Sequence, residues 1–231
     1  MNSWVEHILF TLLPGSCVLC DAPRKHKLDL CFDCEQELPW LTNHCFNCAI
    51  PLPDGNMICG KCLTEHPPYS HCYSAFVYEY PIDKLILEFK ENRKLVIGRV
   101  LASLLLRSFP GSYLPPDLLL PVPLHKSSLR RRGFNQSTEI AEVLSDAWSV
   151  PIDTRNCRRQ KKTSAQKSLH IEDRIKNISG AFAIDKHYRG KRIAIIDDVV
   201  TTGATVRELA NLLLDNGADS VEVICIARTP A

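Results

Sequence analysis

IAIIDDVVTTGAT, residues 193–205, runs from four apolar residues through two carboxylates into a loop of threonines and a glycine. Ile193–Ile196 has the pattern of a parallel strand buried on both faces. Asp197 and Asp198 follow, then Val199 and Val200, then Thr201, Thr202, Gly203, Ala204 and Thr205. Helical spacing begins at once with Val206, Leu209, Ala210 and Leu213, and Gly217 stands where a C-terminal cap belongs. Thr205 and Glu208 match a capping box. The unit is strand, acidic pair, loop, helix. Unpaired N–H groups at a helix start, helped by its dipole, attract an anion. Gly203 lets the backbone come close, and Thr201, Thr202 and Thr205 add hydroxyl donors. Two carboxylates would repel a bare phosphate, but they accept hydrogen bonds from a diol attached to one. A ribose 5-phosphate meets both demands, its hydroxyls on Asp197 and Asp198 and its phosphate on residues 201–205. The plainer alternative is an ordinary βα junction with acids at a strand end.

The chain has 231 residues, room for one α/β domain and a small second one. A 45% hydrophobic content is that of a globular protein and argues against disorder. Of 28 Lys/Arg and 26 Asp/Glu, residues 123–177 hold twelve and six. The basic excess is confined to the middle of the chain. No secretory signal is read at Trp4–Leu13, which lacks a basic start and a small-residue cleavage site. No apolar run approaches the ~18 residues of a membrane span, so no membrane insertion is expected. A reducing cytoplasm is the default compartment, where C-x-x-C pairs mean metal or redox chemistry.

Eight of the eleven cysteines form four such pairs before residue 63. Cys17, Cys20, Cys31 and Cys34 make one set, and Cys45, Cys48, Cys59 and Cys62 repeat it 28 residues on. Each knuckle puts two sulfurs on one side of a tight turn, and two knuckles complete a tetrahedron, the usual structural zinc site with no open position. About two Zn²⁺ are expected. The pieces between have too little apolar content to fold without metal. An iron–sulfur cluster or a redox pair are the alternatives, and sequential or interleaved pairing stays open. The region 15–64 has four Lys/Arg against six Asp/Glu, unfavourable for a nucleic-acid strand.

Residues 1–14 read as a short amphipathic helix, with Trp4, Ile8 and Leu12 on one face. Residues 63–75 read as a linker between a unit at 1–64 and one at 76–231. Helical patterns cover Ile82–Glu91 and Leu95–Phe109, and a buried strand covers Leu118–Pro123. A helix is expected from about Asn135 to Trp148, with Arg130, Arg131 and Arg132 on its N-terminal side. That placement suggests an anion site, with a surface basic loop as the bland reading. Residues 155–177 are basic and polar. Strands are read at Ala181–Ile184 and Ser220–Ile226. Alternating strands and helices imply an α/β fold with a mostly parallel sheet flanked by helices and a ligand site at the strands' carboxyl ends.

Residues 193–205 resemble the binding signature for 5-phosphoribosyl 1-pyrophosphate (PRPP) of type I phosphoribosyltransferases. PVPLHKSSLRRRGFNQ, residues 121–136, and the spacing Thr163, Gln166, Leu169, Arg174, Asn177 resemble the ComF (ComFC/GntX-like) branch of that family over nearly the whole chain. The resemblance implies a type I phosphoribosyltransferase-like sheet behind a small N-terminal double zinc ribbon. It implies that Pro123, Leu124, His125 and Lys126 line the pyrophosphate, and that a mobile lid including Lys162, Thr163 and Gln166 closes over the site. It also implies PRPP bound with Mg²⁺, and an association with DNA uptake in natural transformation or use of external DNA. Two functions follow as expectations. One is a PRPP-binding protein, with a phosphoribosyltransferase activity in prospect and no catalytic residue assigned. The other is a non-catalytic zinc-ribbon protein that binds single-stranded DNA or docks on DNA-uptake proteins.

Overall fold

A computed structural model describes residues 15–23, 28–53, 57–161 and 180–230. The helix expected at 1–14 and the lid residues Lys162, Thr163 and Gln166 lie outside these described residues. Four parallel strands form the sheet: β1 (Cys72–Val77), β2 (Leu118–Pro121), β5 (Arg192–Val200) and β6 (Ser220–Arg228), in the order β1-β6-β5-β2. Between them run α3 (Ile82–Asn92), α4 (Leu95–Ser108), α5 (Lys126–Arg132), α6 (Gln136–Trp148) and α7 (Ala204–Asp215). A small antiparallel pair, β3 (Cys157–Arg159) and β4 (Phe182–Ile184), stands apart from the main sheet. Two short helices, α1 (Phe32–Gln36) and α2 (Gly60–Thr64), belong to the cysteine knuckles.

The period-2 rule sorts the core. Ala194 and Ile196 join α3, α4 and α6 in one buried cluster, while Ile193 and Ile195 join Val206, Leu209, Ala210 and Leu213 of α7 in another. Helices on both faces explain why β5 reads as an unbroken apolar run. That strand outlasts its expected end at Ile196. Asp197, Val199 and Val200 stay paired with Cys225, Ala227 and Arg228, because the nine-residue neighbour β6 keeps offering backbone partners.

The stretch read as a linker, 63–75, is corrected in part by the structure. Tyr69 is buried, and Cys72 opens the edge strand β1 with its thiol fully enclosed. The prolines of this segment masked that short strand. The cysteine region grips β1 on both sides. Leu30 and Leu38 pack into the cluster of α3 and α4, and Ala49 packs into that of α7. Residues 39–41 run antiparallel along β1, with Leu41 N–H donating to the Ala75 carbonyl and Val77 N–H to that of Pro39, both at 2.9 Å. The sheet edge is thereby covered.

Candidate functional site

The loop after β5 is built by backbone conformation. Gly203 has φ 77°, a left-handed value, and serves as N-cap of α7. The helix therefore starts at Ala204, two residues earlier than a Thr205 cap requires. The expected capping box is not made: Glu208 Oε1 accepts from the Gly180 amide at 2.7 Å instead. Gly203 has no side chain with which to cap α7, and Thr202 Oγ1 reaches the Ala204 amide only at 3.4 Å. Among the described residues, the first turn of this twelve-residue helix is thus left without a strong protein partner. At the other end the Ala218 amide donates to the Leu213 carbonyl and that of Gly217 to Leu214, the Schellman closure that Gly217 announces.

Arg228, which ends β6, fixes the loop from beneath. It is 5% exposed, and its Nη1 donates to the carbonyls of Val200 and Thr201 while Nε donates to that of Cys48 at 2.9 Å. One guanidinium thus links the loop after β5 to the second cysteine set.

The two aspartates have unlike surroundings. Asp198 is 4% exposed; its Oδ2 lies 2.8 Å from Lys90 Nζ of α3, and its Oδ1 accepts from the Val199 amide. Burial works to lower the Lys90 pKa, but the Asp198 and Asp197 carboxylates outweigh it and hold it raised. Asp197 is half-buried. Its Oδ1 accepts from Ser137 Oγ at 3.3 Å and from the Asp198 amide at 2.9 Å. Burial first, and then the Asp198 charge, push the Asp197 carboxyl up to about 7. Among the described residues, Asp197 Oδ2 has no hydrogen-bond partner. Of the two carboxylates it is Asp197 that keeps an oxygen for a ligand hydroxyl.

A cleft of about 480 Å³ lies at the carboxyl end of β2, lined by Pro123, Leu124, Lys126, Phe134, Asn135, Arg158 and Arg159; neither Asp197 nor Asp198 is in its wall. His125 of the same segment caps α5 instead, its Nδ1 lying 3.2 Å from the Ser127 amide. Asn135 caps α6 and donates through Nδ2 to the Val122 carbonyl, tying the helix start to the end of β2. Burial lowers the Arg159 pKa below its ordinary value, and the Asp197 charge opposes that. Residues 201–205 are not part of this cleft wall; they stand at the end of the neighbouring strand β5.

Arg130, Arg131 and Arg132 are not a loop ahead of α6. They form the last turn of α5, where positive charge suits the helix dipole. Gly133 closes that helix, so the basic run is wound up and spent partly on structure. Arg132 hydrogen-bonds Gln136 Oε1, and the Arg131 carbonyl accepts from Arg93 at 3.2 Å. Arg130 and Arg131 are exposed.

The cysteines gather as two sequential sets: Cys17, Cys20, Cys31 and Cys34, and Cys45, Cys48, Cys59 and Cys62, with the sulfurs of each within 4.8 Å of one another. The nearest recorded pairs, Cys20–Cys31 and Cys48–Cys59, are 3.7 Å apart. A tetrahedron with Zn–S bonds of ~2.3 Å has edges of ~3.8 Å, so the sets fit zinc. Amide donors help. Burial alone would raise the Cys17 and Cys45 thiols, but backbone N–H groups including those of Cys31 and Cys59 bring both down to about 7.

Sequence reasoning missed Lys90, Ser137 and Arg228 as site residues, and it left Arg159 within the basic, polar stretch 155–177, whereas Cys157–Arg159 form β3 paired with β4. Lys90 does leave a trace: it falls at helical spacing from the buried Ile82 and Ile86. Arg228 leaves another, closing the apolar run Val223–Ala227.

With this geometry in place, comparison with known proteins is informative. A double zinc ribbon domain family matches residues 8–63, and a phosphoribosyl transferase domain family matches residues 128–231. The chain is 34% identical over 223 residues to a Salmonella typhi protein named DNA utilization protein YhgH, covering 94% of this chain and 98% of that one. It is 31% identical over 210 residues to competence protein F of Haemophilus influenzae, covering 87% and 91%. It is 28% identical over 239 residues to competence protein ComFC of Bacillus subtilis, covering 92% and 95%.

Proposed function

The chain belongs to the ComF family of double-zinc-ribbon, phosphoribosyltransferase-like proteins, and from that premise we propose that it binds PRPP at the end of β5. The observation that carries this reading is the uncapped start of α7 beside a carboxylate with an open oxygen. The 5-phosphate lies on the amides and hydroxyls of Thr201, Thr202, Gly203, Ala204 and Thr205. A ribose hydroxyl donates to Asp197, and Asp198 with Lys90 supports the strand end. The pyrophosphate lies along Pro123, Leu124 and Lys126, where the Lys126 charge and the main-chain N–H groups of Leu124 and Lys126 suit a polyanion. His125 holds that segment in place through α5. Mg²⁺ bound together with PRPP would supply further positive charge to the pyrophosphate. Zn²⁺ in the two cysteine sets is structural.

The chemistry open to such a site is transfer of the ribosyl phosphate. The C1–O bond to pyrophosphate breaks, its electron pair leaves with the pyrophosphate, and a nucleophile bonds to C1. Lys126 and the cations of the cleft stabilise the departing charge. No helix among the described residues is long and apolar enough to cross a membrane, and we place the chain in the cytoplasm, acting in the use of external DNA as its relatives' names suggest. The test is pyrophosphate release from PRPP across bases, nucleotides and DNA ends. Release with one acceptor class supports transfer. Binding without release from any acceptor leaves a PRPP-sensing protein.

A further inference from the structure

The start of α7 has a neighbour from outside its own loop. Tyr69, in the segment that leads from the second cysteine set into β1, is 4% exposed. Its ring lies in the buried cluster that includes Ala49, Val200, Val206 and Ala210. The next residue fixes its place: the Ser70 amide donates to the Val221 carbonyl at 2.8 Å, and Ser70 Oγ donates to it at 3.2 Å. The Tyr69 hydroxyl ends at the glycine that caps the helix. It is the nearest atom that a Cβ on Gly203 would meet, at 3.9 Å. Among the described residues it makes no hydrogen bond. A buried phenol usually finds a partner, and one left without it loses the worth of its donor. At neutral pH the group is an uncharged donor. Burial pushes its pKa higher still, against the Arg207 and Arg228 charges nearby.

Arg207 adds a cation at the same end. The first turn of α7 holds no acid, and Arg207 follows directly, half-buried and without an ion pair among the described residues. Positive charge at the start of a helix opposes its dipole, and an anion at that end satisfies both. An uncapped helix start, a protonated hydroxyl aimed at it and a cation beside it surround one small anion with donors on three sides. We propose that Tyr69 and Arg207 are ligands of the phosphate at the start of α7, and that they restrict the site to a phosphomonoester. The amides of the loop take one terminal oxygen, the Tyr69 hydroxyl a second and the Arg207 guanidinium the third. A phosphodiester has two such oxygens, so one donor stays unmet in a place largely shut off from water, which is costly. The anion site stands on these three features; the ribose joined to the phosphate rests on the function proposed above.

Calorimetry with ribose 5-phosphate, its methyl phosphodiester and inorganic phosphate tests this on the full zinc-loaded chain. Wild type should bind the monoester at least ~10-fold more tightly than the diester, the worth of one hydrogen bond to a charged group. Tyr69→Phe should lose ~10-fold for ribose 5-phosphate and little for the diester. Its thermal midpoint should stay that of wild type, because the hydroxyl bonds nothing among the described residues. Should Tyr69→Phe melt lower, Arg207→Gln decides, with a similar loss expected for the monoester. Wild-type affinity for ribose 5-phosphate in a normally melting Tyr69→Phe, or in Arg207→Gln, overturns the proposal. So does equal binding of monoester and diester by wild type, or binding of none of the three probes. If ribose 5-phosphate and PRPP fail to bind while inorganic phosphate binds and Tyr69→Phe weakens it, the anion site stands and the ribosyl-phosphate reading fails.

Discussion

Lys90 and Asp198 meet at 2.8 Å with the carboxylate almost wholly enclosed. Removing one partner of such a pair leaves a buried charge uncompensated, which costs about 3 kcal/mol or more. Lys90→Met should cost about that much in urea unfolding, and adding Asp198→Asn should recover most of it. Asp197 titrates to a different effect. Its carboxyl is raised to about 7 in the folded chain, whereas an unfolded aspartate ionises near ~3.9. Between those values the native state holds a proton that the unfolded chain has lost. The stabilisation is therefore complete below about pH 4 and is lost as pH rises through about 7. Wild type should lose about 1 kcal/mol between pH 6 and 8 relative to Asp197→Asn, read from urea midpoints. Parallel curves for the two proteins would contradict the assignment. Ligand binding should run the opposite way, tightening as Asp197 ionises and can accept a hydroxyl.

At the scale of elements, close packing and backbone conformation set the tolerances. A Cβ on Gly98 of α4 would stand 2.5 Å from the Phe89 ring of α3, so the two helices approach through that glycine. Gly98→Ala should cost about 1–3 kcal/mol, with part restored by Phe89→Leu. At Gly203 space is open, and the limit is its left-handed φ of 77°. Gly203→Ala should cost about 1 kcal/mol and weaken phosphate binding in calorimetry more than it lowers stability. The elements themselves were largely legible from sequence. Ile193–Ile196, the α7 spacing and the helix start near Asn135 each follow a local rule that the fold obeys. The misses have physical causes. Thr205 lost its cap role because a left-handed glycine started the helix sooner. Arg130–Arg132 became a helix end because His125 and Gly133 cap a seven-residue turn that no apolar period marks. β1 hid behind prolines. Lys90 and Arg228 depend on contacts across 108 and 28 residues of chain, which no local pattern encodes.

In the whole molecule the cysteine region is a structural clasp on the sheet. It covers the edge of β1, adds Glu35 to Arg107 of α4 at 2.7 Å, and reaches the loop after β5 through Arg228 and Cys48. Metal analysis should return about two Zn per chain. Chelation should lower the thermal midpoint and loosen the loop after β5 together, because the Cys48 carbonyl holds Arg228 in place. A chelated chain with unchanged melting would contradict the clasp. The account as a whole turns on a sugar phosphate held at the end of β5, and calorimetry with PRPP and Mg²⁺ tests it most directly. Wild type should bind with one site per chain, and Asp197→Asn/Thr202→Ala should weaken that binding at least tenfold. Equal binding by the two proteins, or none by wild type, would contradict it.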